Sequence, residues 1–186
     1  MILIVESGST KADWVLLDGV NTISSFQTKG WNPLFLSSEL MIQRLKSYSE
    51  LKTVFTKILE IHFYTPGCSN PSSFNDLEFS LKSVFVNAKI MIKSDLYAAA
   101  IAAYNGKPLF ISILGTGSNT AFYNGDSIDQ LKPSLGYLIG DEGSGASLGR
   151  LLLRSYLYQN LPTDLHMEFS KKHSISKEMV LKSVYK

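Results

Sequence analysis

Two segments roughly one hundred residues apart begin in the same way. Met1–Val5 is an apolar run that stops at Glu6-Ser7-Gly8-Ser9-Thr10-Lys11, and Ala12–Leu17 is largely apolar again. Leu109–Leu114 is an apolar run that stops at Gly115-Thr116-Gly117-Ser118-Asn119, and Thr120–Tyr123 continues it. A buried strand running into a glycine turn and out again reads this way. Thr22–Thr28 follows Asp18-Gly19, and Ser127–Leu131 follows Asn124-Gly125-Asp126, so each segment gains a third strand. Strand, turn, strand, turn, strand predicts an antiparallel meander. Its recurrence suggests an internal duplication.

The stretch between the two starts has a different texture. Ser37 or Ser38 is placed to cap a helix from about Glu39 to Ser49. Lys57–Tyr64 reads as a strand closed by Pro66-Gly67, Ser72–Phe85 as a helix, and Ala88–Ile92 as a strand. Asp95–Tyr104 is alanine-rich and reads as a helix stopped by Asn105-Gly106. The order β-β-β-α-β-α-β-α implies an α/β fold, a mixed sheet with helices on its faces. After the second start come the glycine-rich Gly136 to Gly145 and a helix over Ala146–Tyr158. Thr163–His173 and Lys177–Tyr185 read as helical too, and no further strand is expected. The division expected is one complete domain over 1–105 and part of a second over 106–186.

Composition excludes several classes. With 45% apolar and 18% charged residues over 186 positions, the chain can bury a core and is not a disordered tail. Eighteen basic against sixteen acidic residues leave +2, which carries no polyanion signature, so nucleic acid is not expected as a partner. The single cysteine, Cys68, permits no internal disulfide and no multi-cysteine metal site, which fits a reducing cytoplasm. No secretory signal is seen at the start, and no apolar run is long enough for a membrane span. His62, His166 and His173 lack metal-ligand spacing.

Four motifs have chemical content, and each has a plain structural alternative. The Gly8 turn, with Ser9, Thr10 and Lys11, offers backbone and side-chain donors to phosphate oxygens, and Glu6 at the strand end suits magnesium. It also reads as an ordinary hairpin, and it is no Walker A loop. Gly115-Thr116-Gly117-Ser118 offers the same two readings. Asp95 opens the alanine-rich helix, either as a capping carboxylate or as a general base. Asp141 and Glu142 open a later helix, either for dipole stabilisation or for recognition of a hydroxyl. Asn32, after Trp31, binds a ligand or satisfies its turn. Paired carboxylates could suggest glycoside hydrolysis, but two phosphate-type turns argue for phosphoryl transfer. Trp14 reads as core, and Cys68 as an unreactive or merely exposed thiol.

These segments together resemble the sugar kinase, Hsp70 and actin superfamily, whose halves are ribonuclease H-like. Within it they are similar to the BadF/BadG/BcrA/BcrD-type ATPases, and most to the N-acetylglucosamine kinase members. The resemblance rests on Val5 to Lys11, Asn32-Pro33, Ser94-Asp95, Leu114 to Asn119 and Gly140 to Gly145, in the family's order. It implies ATP-dependent phosphorylation of an amino sugar, with ATP and Mg2+. Gly8, Ser9, Thr10 and Lys11 would face the terminal phosphates, with Glu6 near magnesium. Gly115, Thr116, Gly117 and Ser118 would form the second phosphate turn. Asp95 would be the base, and Asn32, Asn119 and Asp141 would meet the sugar.

One rival is an ATPase that activates a 2-hydroxyacyl-CoA dehydratase or benzoyl-CoA reductase. It needs several cysteines for an iron–sulfur cluster, so Cys68 alone argues against it. A non-catalytic sugar sensor is the other rival. The resemblance also implies roughly one hundred further residues that complete the second domain and hold adenosine, an ordinary domain size. Without them, weak ATP binding, little activity of the chain alone and homodimer formation through exposed apolar edges are expected.

Overall fold

The computed structural model describes residues 1–68, 70–130 and 132–185. Leu131, the end of one expected strand, lies outside the described residues. Strands β1 (Ile2–Ser7), β2 (Lys11–Asp18) and β3 (Asn21–Lys29) form the antiparallel meander that the turn signals predict. Strands β4 (Glu60–Tyr64) and β5 (Lys89–Lys93) add in parallel beside β1, giving the order β3-β2-β1-β4-β5.

Helices α1 (Ser38–Ser47), α2 (Pro71–Val84) and α3 (Asp95–Ala103) follow β3, β4 and β5. Each is started by a polar cap. Ser37 Oγ accepts from Leu40 N, Asn70 Oδ1 accepts from Ser72 N and Ser73 N, and Ser94 Oγ accepts from Tyr97 N. The strand expected over Lys57–Tyr64 is shorter at its start. Ile58 N donates to Val54 O at 3.1 Å, so a tight turn already satisfies the backbone there, while the buried Ile58 side chain supplies the apolar signal.

The chain divides into two compact units, Met1–Ile113 with Asn119–Pro133, and Leu114–Ser118 with Ser134–Lys186. In the first, Trp14 sits at the centre of the core, 1% exposed. Its ring lies 5.4–5.9 Å from those of Tyr48, Trp31, Phe26 and Phe63. Its indole N–H donates to Thr28 Oγ1 at 2.9 Å, so the buried polar atom has a partner. A smaller cluster packs Leu96 and Ala100 of α3 against Ile111, Ala121 and Tyr123. These last belong to β6 (Leu109–Leu114) and β7 (Ser118–Tyr123), which form a three-stranded sheet with the short β8 (Ile128–Asp129).

The second unit is helical apart from its turn: α4 (Gly136–Ile139), α5 (Gly145–Leu157), α6 (Thr163–Lys172) and α7 (Lys177–Tyr185). The α4 turn lies inside the glycine-rich stretch and has no sequence signature beyond a few apolar residues. Apolar side chains on α5 to α7, among them Leu148, Leu165 and Met179, remain exposed. Among the described residues no helix is long and apolar enough to cross a membrane.

Candidate functional site

In the first unit β1, β4 and β5 run parallel and end together, with Glu6 opposite Tyr64 and Tyr64 opposite Lys93. Ligands of open α/β sheets gather at this carboxyl edge. The Gly8 turn leaves the end of β1 as a tight hairpin: Gly8 N donates to Lys11 O at 2.9 Å. Ser9 and Thr10 are exposed at its tip. Lys11 turns toward Asp13, 3.1 Å away, in a solvent-exposed ion pair.

Gly30 holds that turn from behind, a role the sequence reading missed. Its N–H donates to Thr10 O at 2.9 Å, and the backbone of Gly8 and Ser9 packs directly on its Cα. Only a residue without a side chain fits such an approach.

The segment after Gly30 is fixed by buried hydroxyls. Trp31 N donates to Ser7 Oγ at 2.7 Å, and Thr65 Oγ1 donates to Trp31 O at 2.6 Å. Ser7 ends β1 and Thr65 follows β4, so both strands position Asn32. The Asn32 carboxamide oxygen accepts from Leu34 N at 3.0 Å. Its turn-satisfying role is therefore present, and its NH2 group remains to donate.

Asp95 is the first residue of α3, and Ser94 is its cap. The capping alternative for Asp95 is thus corrected. The hydroxyl of Ser94 accepts from Tyr97 N at 3.2 Å, whereas the Asp95 carboxylate accepts from the adjacent Leu96 N, at 2.9 Å, and from its own N–H. Burial pushes the Asp95 carboxyl above the usual range, against the backbone N–H bonds that pull it down. Glu6 is raised as well, first by partial desolvation and then by the negative charges of Asp13 and Asp95. Glu6 therefore lies in the field of Asp95 across the strand ends. Cys68 lies within the same field. Its thiol is raised by burial and by Asp95, which agrees with an unreactive thiol.

Asn119 lies on β7. Its carboxamide oxygen accepts from Thr120 N at 2.9 Å and Gln130 Nε2 at 2.8 Å.

In the second unit, Gly115 N donates to Gly117 O at 2.9 Å and closes the turn. Ser118 Oγ donates to Glu142 O at 2.8 Å, Gly145 N to Gly115 O at 2.8 Å, and Ala146 N to Thr116 O at 3.2 Å. The second turn and the Gly140 to Gly145 segment, apart in sequence, are thus one hydrogen-bonded assembly. Asp141 adopts φ 59°, a left-handed conformation that aspartate tolerates better than most residues. Its carboxylate rests on Gly117, where a Cβ would come within 2.7 Å of Oδ2. Asp141 and Glu142 do not open the helix as expected. The buried Ser144 caps α5, accepting from Ser147 N at 3.1 Å.

Among the described residues no group of three or more His, Cys, Asp or Glu side chains is placed to hold a metal ion. A magnesium ion carried by a nucleotide needs fewer, since it keeps waters and phosphate oxygens as ligands. The exposed Glu6, in the negative field of Asp13 and Asp95, fits such a role. The exposed hydroxyls of Ser9 and Thr10 fit phosphate oxygens.

No protein-family model and no curated protein matches the chain. Solved structures do. A protein from Porphyromonas gingivalis, provisionally named an N-acetylglucosamine kinase, matches all of this chain at 34% identity and TM-score 0.90. The chain belongs to the sugar kinase, Hsp70 and actin superfamily. Another N-acetylglucosamine kinase, also provisionally named, from Chromobacterium violaceum matches 99% of the chain at 21% identity and TM-score 0.61. A ROK hexokinase from Thermus thermophilus matches 84% at 16% identity and TM-score 0.53. These last two likenesses are of fold. The chain spans 66%, 64% and 64% of the lengths of these three proteins. The superfamily's actin-like α/β fold is that expected from the sequence, and the BadF/BadG-type resemblance is consistent with these neighbours.

Proposed function

We propose that the chain takes part in ATP-dependent phosphorylation of an amino sugar, N-acetylglucosamine, with Asp95 as the general base. The observation that carries this reading is the division between Ser94 and Asp95. Ser94 starts the helix, so the half-buried Asp95 carboxylate is not consumed by capping. A carboxylate whose proton affinity is raised by burial is a better base for a sugar hydroxyl than an exposed one. Asn32, Asn119 and Asp141 would orient the sugar through their amides and carboxylate. Gly8, Ser9, Thr10 and Lys11, with Gly115, Thr116, Gly117 and Ser118, would hold the phosphates, and Glu6 would hold magnesium. Bound magnesium would supply charge neutralisation on the transferred phosphoryl group. Lys11 must then leave Asp13, which costs little because the exposed ion pair is weak.

The test is sugar-dependent ADP release by the wild-type chain and by Asp95→Asn, with sugar affinity measured calorimetrically on both. Turnover should fall about 10²–10⁴-fold while affinity changes far less. Absence of both sugar-dependent ADP release and calorimetric sugar binding in the wild type would end the kinase reading for this chain. Wild-type turnover in Asp95→Asn would end the assignment of the base.

A further inference from the structure

Lys29, at the end of β3, and Arg44, on α1, form the shared wall of two adjoining hollows in the first unit. The larger, about 470 Å³, is lined by Glu50 as well. The other, about 350 Å³, has no carboxylate in its lining. The two cations share its lining with Ser9, Asn32, and the apolar Phe35 and Leu36. Arg44 is half-buried, and among the described residues neither it nor Lys29 makes an ion pair or a side-chain hydrogen bond. The neighbouring Lys11, opposite Lys29 across β2 and β3, is by contrast paired with Asp13. Positive charge is therefore left uncompensated at the wall of this hollow.

We infer that the hollow bounded by Lys29, Arg44, Asn32 and Phe35 binds the phosphate ester of a sugar. A guanidinium and an ammonium on one wall match a phosphate, and charge-assisted bonds from both would be roughly twice as strong as neutral ones. The rest of the lining is of another kind. Phe35, 78% exposed, offers a ring face to the C–H surface of a pyranose, and Asn32 and Ser9 offer groups to its hydroxyls. The apolar Phe35 and Leu36 in the lining favour the ester over the bare ion, which brings no C–H surface to cover them. The inference shares Ser9 and Asn32 with the kinase reading but uses neither nucleotide nor Asp95, so either can fail alone.

The experiment is calorimetric titration of the 186-residue chain, without nucleotide, with three probes. They are N-acetylglucosamine 6-phosphate, N-acetylglucosamine and inorganic phosphate. The phosphorylated sugar should bind at least about tenfold more tightly than either of the others. Arg44→Gln and Lys29→Gln should each weaken it about tenfold, Arg44→Lys less, and added salt should weaken it further. Lys29 is exposed, so its variant tests the site even where Arg44→Gln fails to fold. Equal affinity for inorganic phosphate or for the neutral sugar overturns the assignment to a sugar phosphate. Undiminished binding in both glutamine variants places the ligand elsewhere and overturns the site, as does absence of binding.

Discussion

Replacing Gly30 by alanine should damage the first phosphate-type turn more than replacing Gly8, although only Gly8 stands out in the sequence. A Cβ on Gly30 would land on the carbonyl oxygen of Gly8 and 2.5 Å from the carbonyl carbon and oxygen of Ser9. All of these are backbone atoms, so no rotamer change relieves the contact. Overpacking of this kind costs about 1–3 kcal/mol. Displacing the turn also strains the hydrogen bond from Gly30 N to Thr10 O, 2.9 Å long and worth about 1 kcal/mol. The alanine recovers roughly 0.4–1 kcal/mol by restricting the unfolded chain. The net loss is then about 1–3.6 kcal/mol. At Gly8, by contrast, the nearest atom to a new Cβ is Lys11 O at 3.7 Å, an ordinary contact. Gly8→Ala should therefore change stability by less than about 1 kcal/mol. Urea unfolding followed by tryptophan fluorescence measures both, because Trp14 and Trp31 lie in the core of the first unit. Coincident midpoints for wild type and Gly30→Ala, or a larger loss in Gly8→Ala, would refute the reasoning.

Ser94→Ala should cost about 1 kcal/mol in the same assay, because it removes the cap of α3. Asp95→Ala should cost less, and the reverse order would restore Asp95 as the cap. Folding raises the proton affinity of Asp95 and Glu6, so their contribution to stability is full below the ordinary carboxylate range near pH 4 and is lost as pH rises through their folded values. Asp95→Asn removes part of that loss, and urea midpoints taken from pH 4 to 7 should show the variant gaining on wild type as pH rises. Gly117→Val should displace the Asp141 carboxylate and weaken nucleotide binding in a titration with Mg-ATP, with tryptophan fluorescence of the first unit unchanged.

The first meander was legible because its signals are local. Short apolar runs, glycine turns and β-forming residues each point to the same element, and β1 to β3 fall within a residue or two of the expected bounds. The segment at 57–59 was not legible, since Ile58 is buried from a turn that periodicity does not distinguish from a strand. Gly30 failed for a related reason. Its constraint is a close approach by residues more than twenty positions earlier, and such a contact leaves no mark on the neighbouring sequence. The hydroxyls of Ser7 and Thr65 were silent in the same way: their partners lie on Trp31, 24 and 34 residues away.

The carboxylate at the head of α3 shows how a sequence ambiguity is resolved by one neighbouring atom. A serine followed by an aspartate before an alanine-rich run offers two capping side chains for one helix start. Both satisfy the same backbone donors, so composition cannot choose between them. The N-cap must hold an extended backbone while its side chain reaches forward, and Ser94 does so with ψ 154°. Asp95 is thereby forced into the helix, where its carboxylate is half-buried beside the ends of the parallel strands. The N–H groups of Leu96 and of Asp95 itself still donate to that charge and pull its proton affinity down, as a cap's donors would. Burial raises it nonetheless, and the carboxylate is left for a proton that the chain itself does not supply.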